Sequence, residues 1–275
     1  MGELNQDLSH ASMARAIEDN TAELLLDMGR IGGGEQRVNA ALTWTIGGSP
    51  IDYHNCVVRA DLPPDDADAA IAESMRVMRA HGVPGTWHVG PSMRPADLGA
   101  RLLAAGFADG GTEVGMAADL HAVTEDLPTP AGLEIVRVTD DATLGLWKET
   151  LAQGFGEGER EAAWVAKIYR RVGFADGVAY RHFLAYLDGE PVGTSTLFLG
   201  AGVAGIYFVF AVPAVRRRGI GAAVTLAALR DARADGYRIG VLGSSKAGQS
   251  VYARLGFQDY CEISVYEWAP TPPTS

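Results

Sequence analysis

The part of the sequence best suited to chemistry is a glycine-containing loop between a predicted strand and a predicted helix. It reads RRRGIGA, from Arg216 to Ala222. Gly219 and Gly221 leave backbone N–H groups uncovered at a helix N-terminus, where the helix dipole also favours negative charge. The arginines at 216–218 add positive charge beside those groups. The loop therefore predicts an anion site suited to a pyrophosphate. A Gly-x-Gly spacing alone is equally typical of an ordinary helix start with solvated arginines.

Two predicted elements position this loop. Residues 205–212 read as a buried apolar strand, and Pro213 supplies a turn. Residues 221–234 are strong helix formers, so the loop connects the end of a strand to the start of a helix.

Strands and helices alternate along the whole chain, which predicts a mixed α/β fold rather than a helical bundle. In the first half, helices are predicted at 4–29, 65–79 and 95–105, and strands at 37–46, 53–59, 87–89 and 112–120. In the second half, helices are predicted at 142–154, 161–171, 221–234 and 248–255, and strands at 133–138, 183–187, 192–199, 205–212, 239–242 and 257–268.

A proline-containing stretch divides the chain into two predicted domains. Residues 124–132 have the composition of a linker, which leaves domains at 1–123 and 133–275. A shift of 150 residues places Gly106-Phe107 on Gly256-Phe257 and Pro63 on Pro213. We take an internal duplication as a hypothesis.

Composition limits the classes of function. The net charge of −11 argues against a nucleic-acid binder. Two cysteines are too few for a disulfide framework, and each lies in an apolar run typical of a buried free thiol. The six histidines show no metal-ligand spacing, so we expect no metal. The apolar runs are too short to cross a membrane, and the acidic N-terminus does not resemble a secretory signal, so we expect a cytoplasmic protein.

Two motifs in order resemble the GCN5-related N-acetyltransferase (GNAT) superfamily. The family's Arg/Gln-x-x-Gly-x-Gly/Ala signature appears as residues 216–221, and its Tyr-x-x-Leu-Gly-Phe helix end appears within residues 250–257. The resemblance covers about residues 133–268 and, more weakly, the first half. It implies two tandem GNAT-like acyl-CoA N-acyltransferase domains.

The resemblance also implies roles for particular residues. Strand residues Val209, Phe210 and Ala211 would hydrogen-bond the pantetheine arm and thioester carbonyl of acetyl-CoA or another short acyl-CoA. Tyr252 would protonate the departing thiolate. The pyrophosphate and cofactor-arm contacts would come from Arg216, Arg217, Arg218, Gly219, Ile220, Gly221, Ala222 and Ser245.

The sequence departs from the family pattern at two positions. Ser245 stands where many members have an asparagine, and Gly240 stands where some members have a glutamate base. The general base is therefore unassigned. A water chain, a carboxylate from the 154–161 loop, or no base at all are the alternatives. Glu157 and Glu159 are as typical of solvated loop charges as of a base.

The first half resembles a degenerate copy of the second. The stretch DADAAI at 66–71 replaces the glycine loop, and Leu102 stands in the place of Tyr252. We expect this half not to bind acyl-CoA productively but to help wall the acceptor pocket. His54, His88 and Trp87 either face that pocket or, as we prefer, pack in the core.

These observations predict an N-acetyltransferase, or short-chain acyltransferase, acting on a small-molecule amine. Protein N-termini and lysines are less favoured acceptors. The alternatives are a non-catalytic acyl-CoA-binding module and different acyl-CoA chemistry on the same scaffold. We expect no nucleic-acid or membrane partner, and we leave open the number of chains, with a homodimer among the options.

Overall fold

The computed structural model describes residues 3–270, which form seven α-helices and eleven β-strands. The helices are α1 (His10–Gly32), α2 (Ala67–His81), α3 (Leu98–Ala104), α4 (Asp141–Leu151), α5 (Glu159–Val172), α6 (Ile220–Ala234) and α7 (Gln249–Leu255). The strands are β1 (Glu35–Val38), β2 (Leu42–Ile46), β3 (Cys56–Ala60), β4 (Gly85–Val89), β5 (Ala108–Asp119), β6 (Leu133–Arg137), β7 (Tyr180–Leu187), β8 (Glu190–Gly200), β9 (Val203–Ala211), β10 (Ile239–Ser244) and β11 (Gln258–Trp268).

Several predicted elements have other bounds in the structure, and in two of them polar side chains that bond the local backbone explain the difference. The strand predicted at 37–46 is a hairpin of β1 and β2. Its turn is held by the Asn39 side chain, which accepts the Ala41 and Leu42 N–H groups. The first helix begins at His10 rather than at residue 4, since the Ser9 hydroxyl accepts the Ser12 N–H as an N-cap.

Of the described residues, one compact unit contains 3–20 and 114–260. Its sheet runs β6, β7, β8, β9, β10 and then residues 114–119 of β5, with only β9 and β10 parallel. Neighbouring residues on β8 point to opposite faces. Ser195 donates to the Val224 carbonyl of α6, whereas Thr196 hydrogen-bonds His182, which stacks on Tyr169 of α5. Helices α5 and α6 therefore cover opposite faces of this sheet.

The other compact unit contains residues 21–113 and 261–270. Its sheet runs β1, β2, β3, β4, β11 and the first half of β5, and β3 and β4 are the parallel pair. The core contains Trp44, Met78, Trp87 and Leu102, all buried. Apolar side chains from the sheet and from α2 and α3 thus account for the packing of this unit.

Both halves of the sequence use the same order of elements. The series β1, β2, β3, α2, β4, α3, β5 is repeated by β7, β8, β9, α6, β10, α7, β11, with one parallel pair at the same place in each. This repeat agrees with two tandem domains of mixed α/β sheet. The last strand of each repeat pairs with a strand of the other repeat: β11 pairs with β4, and β5 pairs with β10. The compact units are consequently discontinuous in sequence, whereas the predicted boundaries at 123 and 133 are continuous and stay a prediction.

Among residues 3–270, no helix combines the length and apolarity required to cross a bilayer.

Candidate functional site

The central feature of the first unit is a gap between its two parallel strands. β9 and β10 pair only at Ala204–Gly240 and Gly205–Val241, although β9 continues to Ala211. The other edge of β9 stays paired with β8 up to Ala211. Backbone N–H and C=O groups of residues 206–211 that point away from β8 are therefore available to an extended ligand, as on any open sheet edge. The predicted cofactor-binding residues Val209, Phe210 and Ala211 lie on this edge.

A β-bulge lies in β9 beside the gap. Tyr207 lies opposite Thr196 and Phe210 lies opposite Thr194, so Phe208 and Val209 together face one residue of β8. Phe208 has a φ of 50°, which is uncommon outside glycine. The Thr194 hydroxyl donates to the Phe208 carbonyl at 2.9 Å and helps to hold this conformation. The bulge bends β9 and re-aims its side chains next to the gap.

The loop after β9 ends in a glycine that the geometry requires. Gly219 has a φ of 88° and precedes α6 as its N-cap residue. A Cβ atom at this position would lie 2.5 Å from the Pro128 carbonyl oxygen. The first backbone bond across this helix start runs from the Ala223 N–H to the Gly219 carbonyl. The N–H groups of residues 220–222 therefore have no acceptor within the helix, as expected of a helix start.

The three arginines of the loop differ in their surroundings. Arg216 donates through Nε to the Ala211 carbonyl at 3.1 Å and lies over the Phe210 ring at 5.5 Å. It therefore fixes the loop to the end of β9. Arg217 and Arg218 are exposed, and neither forms an ion pair with a residue of the described chain. Their positive charge is thus available to an anion at the start of α6.

Ser245 follows β10 on the opposite side of the gap. Its carbonyl accepts the Ser244 hydroxyl at 2.9 Å and the Gly248 N–H at 2.9 Å, whereas its side chain is exposed. The serine hydroxyl can therefore reach a ligand, and the backbone of Ser245 shapes the turn into α7.

Tyr252 lies on α7, and its ring is half-buried against Phe257 with centroids 6.0 Å apart. The hydroxyl makes no hydrogen bond within residues 3–270. Burial raises the pKa of Tyr252 to about 12. The side chain therefore keeps its proton across the neutral range and can donate a hydrogen bond.

The loop between α4 and α5 packs on the bulge. Phe155 contacts Phe208 with ring centroids 5.5 Å apart. Glu157 and Glu159 are exposed and form ion pairs with Arg160 and Lys148. They are therefore solvated loop charges rather than candidates for a buried base.

Sequence reasoning did not single out Glu161, the buried carboxylate of this segment. It is 1% exposed, and its Oε2 atom accepts the Glu157 N–H at 3.0 Å. The sequence did contain a signal for this role, because Glu161 directly follows the glycine-rich turn GEGER. A carboxylate in that position often accepts a backbone N–H of the turn. The observed contact makes Glu161 an organiser of the loop.

The pocket-facing alternative is wrong for two residues of the first half. Trp87 is buried and donates Nε1–H to the Ser74 hydroxyl at 3.1 Å. His54 is buried beside the Ser49 hydroxyl at 3.0 Å. Burial lowers the pKa of His54 to about 3 and that of His88 to about 4, so both are neutral near pH 7. His88 is half-buried, and its place in the core stays a prediction.

The two cysteines differ in burial. Cys56 is buried as predicted, but Cys261 is half-buried, and neither forms a disulfide. No group of three metal-ligating side chains occurs within the described chain. A cavity of about 650 Å³ borders α6, and none of the predicted site residues lines it. Its walls are Glu125, Leu127, Thr129, Leu133, Ile135, Phe183, Ala223, Leu226, Ala227, Arg230 and Asp231.

The class of this α/β domain follows from its match to a protein family. Residues 145–257, which contain β9, the glycine loop and Tyr252, match the acetyltransferase (GNAT) family. The chain therefore carries a GNAT domain in its second half. A sequence search of curated proteins returned no match.

Solved structures agree with this assignment of the fold. A GCN5-related N-acetyltransferase from Kribbella flavida is 14% identical with a TM-score of 0.64, covering 91% of this chain and 96% of that chain. A tandem GNAT protein from the clavulanic acid biosynthesis pathway is 18% identical with a TM-score of 0.59, covering 85% and 79%. A GCN5-related N-acetyltransferase from Sphaerobacter thermophilus is 18% identical with a TM-score of 0.55, covering 74% and 68%.

Proposed function

We propose that this protein transfers an acetyl or other short acyl group from acyl-CoA to a primary amine of a small molecule. The proposal rests mainly on one observation, which is that the open edge of β9 is followed directly by the start of α6. The edge of β9 leads through the loop at 212–219 to the free N–H groups of α6. An extended thioester arm that ends in a pyrophosphate has the matching order of groups.

The acyl-CoA contacts are assigned along that path. The pantetheine arm would lie on the edge at Val209, Phe210 and Ala211, with the Ser245 hydroxyl across the gap. The pyrophosphate would meet the N–H groups of Ile220, Gly221 and Ala222 next to Arg217 and Arg218. Arg216 and Gly219 would maintain the shape of the loop, as their contacts to Ala211 and Pro128 indicate.

The reaction follows from these positions. The amine nitrogen attacks the thioester carbon and forms the C–N bond. A backbone N–H of the β9 edge stabilises the oxyanion. The C–S bond then breaks while the Tyr252 hydroxyl donates a hydrogen bond to the departing sulfur, and the thiolate takes up a proton from water. The amine nitrogen loses one proton to water, so charge balances, and a neutral amine needs no protein base.

The acceptor site would lie on the α5 side of the gap. Phe155 and Phe208 supply an apolar wall there, and the nearby loop is ordered by Glu161. We expect the acceptor to be used as a free metabolite.

Amine-dependent release of CoA thiol tests the proposal. Purified protein, acetyl-CoA and a panel of primary amines should yield free thiol and acetylated amine together. Tyr252→Phe should bind acetyl-CoA like the wild type but release thiol much more slowly. Acetyl-CoA binding without amine-dependent turnover would instead identify a non-catalytic acyl-CoA-binding module.

A further inference from the structure

We propose that the Asn20 and Tyr207 side chains close the narrow end of the gap between β9 and β10 and thereby restrict the transferred group to acetyl or propionyl. This inference rests on the acyltransferase function proposed above, and it names the donors as acetyl-CoA and propionyl-CoA. It also gives α1, which carries Asn20, a part in the choice of donor.

The acyl group points along β9 toward the closed end of the gap. In the proposed function the pyrophosphate lies at the start of α6, and the pantetheine arm follows the strand edge from Ala211 back to Val209. The thioester therefore lies at the Val209 end of the arm, and the acyl chain continues toward Gly205. Gly205 and Val241 form the last parallel pair before the gap opens. A longer acyl chain thus meets the point where the two strands part.

The gap is narrow at this end. Paired strands lie about 4.8 Å apart, and a chain between two strands needs about twice that separation, as a third strand would. Tyr207 follows the last paired residue of β9 by only two positions. Strands that have just parted leave no space of that width in the plane of the sheet. A longer acyl group must therefore turn out of the plane onto one face of β9 and β10.

The face toward α6 is already filled. A Cβ atom at Gly240 would lie 3.1 Å from Leu229 of α6, so Gly240 and its partner Ala204 face that helix. Ile206 and Leu242 follow this pair by two residues on their strands and share its face. Their side chains are 3% and 2% exposed. An acyl chain cannot turn toward α6 without displacing them.

The opposite face is covered by Asn20 and Tyr207. A side chain at Gly205 would overlap the Asn20 Oδ1 atom and would lie 2.5 Å from the Tyr207 ring. Asn20 is fully buried and donates through Nδ2 to the Gly200 carbonyl at 2.9 Å. Its Oδ1 atom accepts the Tyr207 hydroxyl at 2.6 Å. These hydrogen bonds hold both side chains over the parting point, where they form a wall.

The spacing along β9 sets the length of the acyl group. Val209 and Tyr207 are two residues apart, which corresponds to about 6.6 Å along a strand. Van der Waals contact takes up about 3.7 Å of this distance. The remaining space of about 3 Å holds one or two carbon atoms beyond the thioester carbon, at about 1.5 Å per bond. Acetyl and propionyl groups fit, whereas butyryl and longer groups press against the wall.

A series of donors tests the inference on the wild-type protein. The donors are acetyl-CoA, propionyl-CoA, butyryl-CoA and hexanoyl-CoA. The amine is whichever of benzylamine, tyramine, glucosamine and spermidine is acetylated fastest. We expect kcat/KM for propionyl-CoA to be within about tenfold of that for acetyl-CoA, and kcat/KM for hexanoyl-CoA to be at least about 100-fold lower. Equal values for acetyl-CoA and hexanoyl-CoA would overturn the inference without any variant.

Variants of the wall test the two side chains. Tyr207→Ala should raise the ratio of kcat/KM for hexanoyl-CoA to that for acetyl-CoA at least about tenfold. Tyr207→Phe keeps the ring and should keep the wild-type ratio. Asn20→Ala removes the other half of the wall and should raise the ratio as well. The matched control Tyr186→Ala, at a half-buried tyrosine on β7, should leave the ratio unchanged.

The outcomes separate this inference from the proposed function. If acyl groups are transferred but Tyr207→Ala keeps the wild-type ratio, the inference is overturned and the proposed function stands. If Tyr207→Ala does not fold, an unchanged ratio in Asn20→Ala overturns the inference in its place. If none of the donors acylates any of the amines, the proposed function fails and the inference fails with it.

Discussion

Tyr252 meets the leaving thiolate as a strong hydrogen-bond donor rather than as a readily ionised acid. Burial raises its pKa to about 12, whereas a free thiol has a pKa of about 8.5. Complete proton transfer from Tyr252 to the thiolate is therefore uphill. The hydroxyl lowers the barrier by hydrogen-bonding the charge that develops on sulfur, and the thiolate takes its proton from water.

Removal of this hydroxyl should affect turnover and not binding. Tyr252→Phe is expected to lower kcat by about 100-fold, a typical contribution of a positioned acid. The acetyl-CoA Kd should change by less than about twofold, since the ring and its contact with Phe257 remain. Steady-state kinetics and calorimetry measure the two quantities. An unchanged kcat would exclude Tyr252 from the reaction.

The pH profile supplies a second test at this residue. A raised pKa means that the protonated, active form persists at alkaline pH and is lost only near pH 12. The wild-type kcat should therefore show no fall between pH 7 and pH 10 that depends on Tyr252. A fall with a midpoint below pH 10 that is absent from the residual activity of Tyr252→Phe would contradict this account.

At the scale of elements, the loop between β9 and α6 depends on one glycine and tolerates change at another. Gly219 has a φ of 88° and lies against the Pro128 carbonyl. Gly221 is inside α6, and the nearest atom to its Cβ position is 3.8 Å away, on Val209. The same substitution at these two glycines therefore separates loop geometry from simple loss of glycine.

Gly219→Ala should lower the free energy of unfolding by about 1–3 kcal/mol and weaken acetyl-CoA binding at least about tenfold. Gly221→Ala should bind normally and be as stable as the wild type or more stable, by up to about 1 kcal/mol. Denaturant titration and calorimetry measure both effects. If the two variants had the same stability and the same acetyl-CoA affinity, the left-handed conformation at Gly219 would not be required for either property.

Among the elements, features determined by residues close in sequence could be predicted, whereas features that join distant residues could not. The loop was predictable because the residues RRRGIG themselves determine its backbone chemistry. The gap between β9 and β10 and the exchange of β5 and β11 join residues far apart in sequence. No periodicity carries that information. Glu161 was missed because neighbouring glutamates have the same composition but point to solvent.

At the scale of the whole molecule, buried neutral histidines connect stability to pH. Burial lowers the pKa of His54 and His182 to about 3 and that of His88 to about 4. The unfolded chain takes up these protons near pH 6.5, whereas the folded chain does so only at much lower pH. The stability that they contribute is complete above pH 6.5 and is lost as the pH falls below it.

We expect the free energy of unfolding to fall by up to about 1.4 kcal/mol per pH unit for each buried histidine below pH 6. His182→Gln should reduce this slope, and the exposed His121→Gln should leave it unchanged. Urea unfolding between pH 5 and pH 7 measures the slopes. A slope in His182→Gln identical to that of the wild type would mean that His182 is charged in the fold.

The central claim is that acyl-CoA binds along β9 with its pyrophosphate at the start of α6. Calorimetric titration with acetyl-CoA should give a micromolar Kd for the wild type and for Arg170→Glu, a charge reversal on α5. Arg217→Glu alone should weaken binding, and Arg217→Glu with Gly219→Glu should abolish it. Wild-type protein that does not bind acetyl-CoA, or a double variant that binds as tightly as the wild type, would contradict the account.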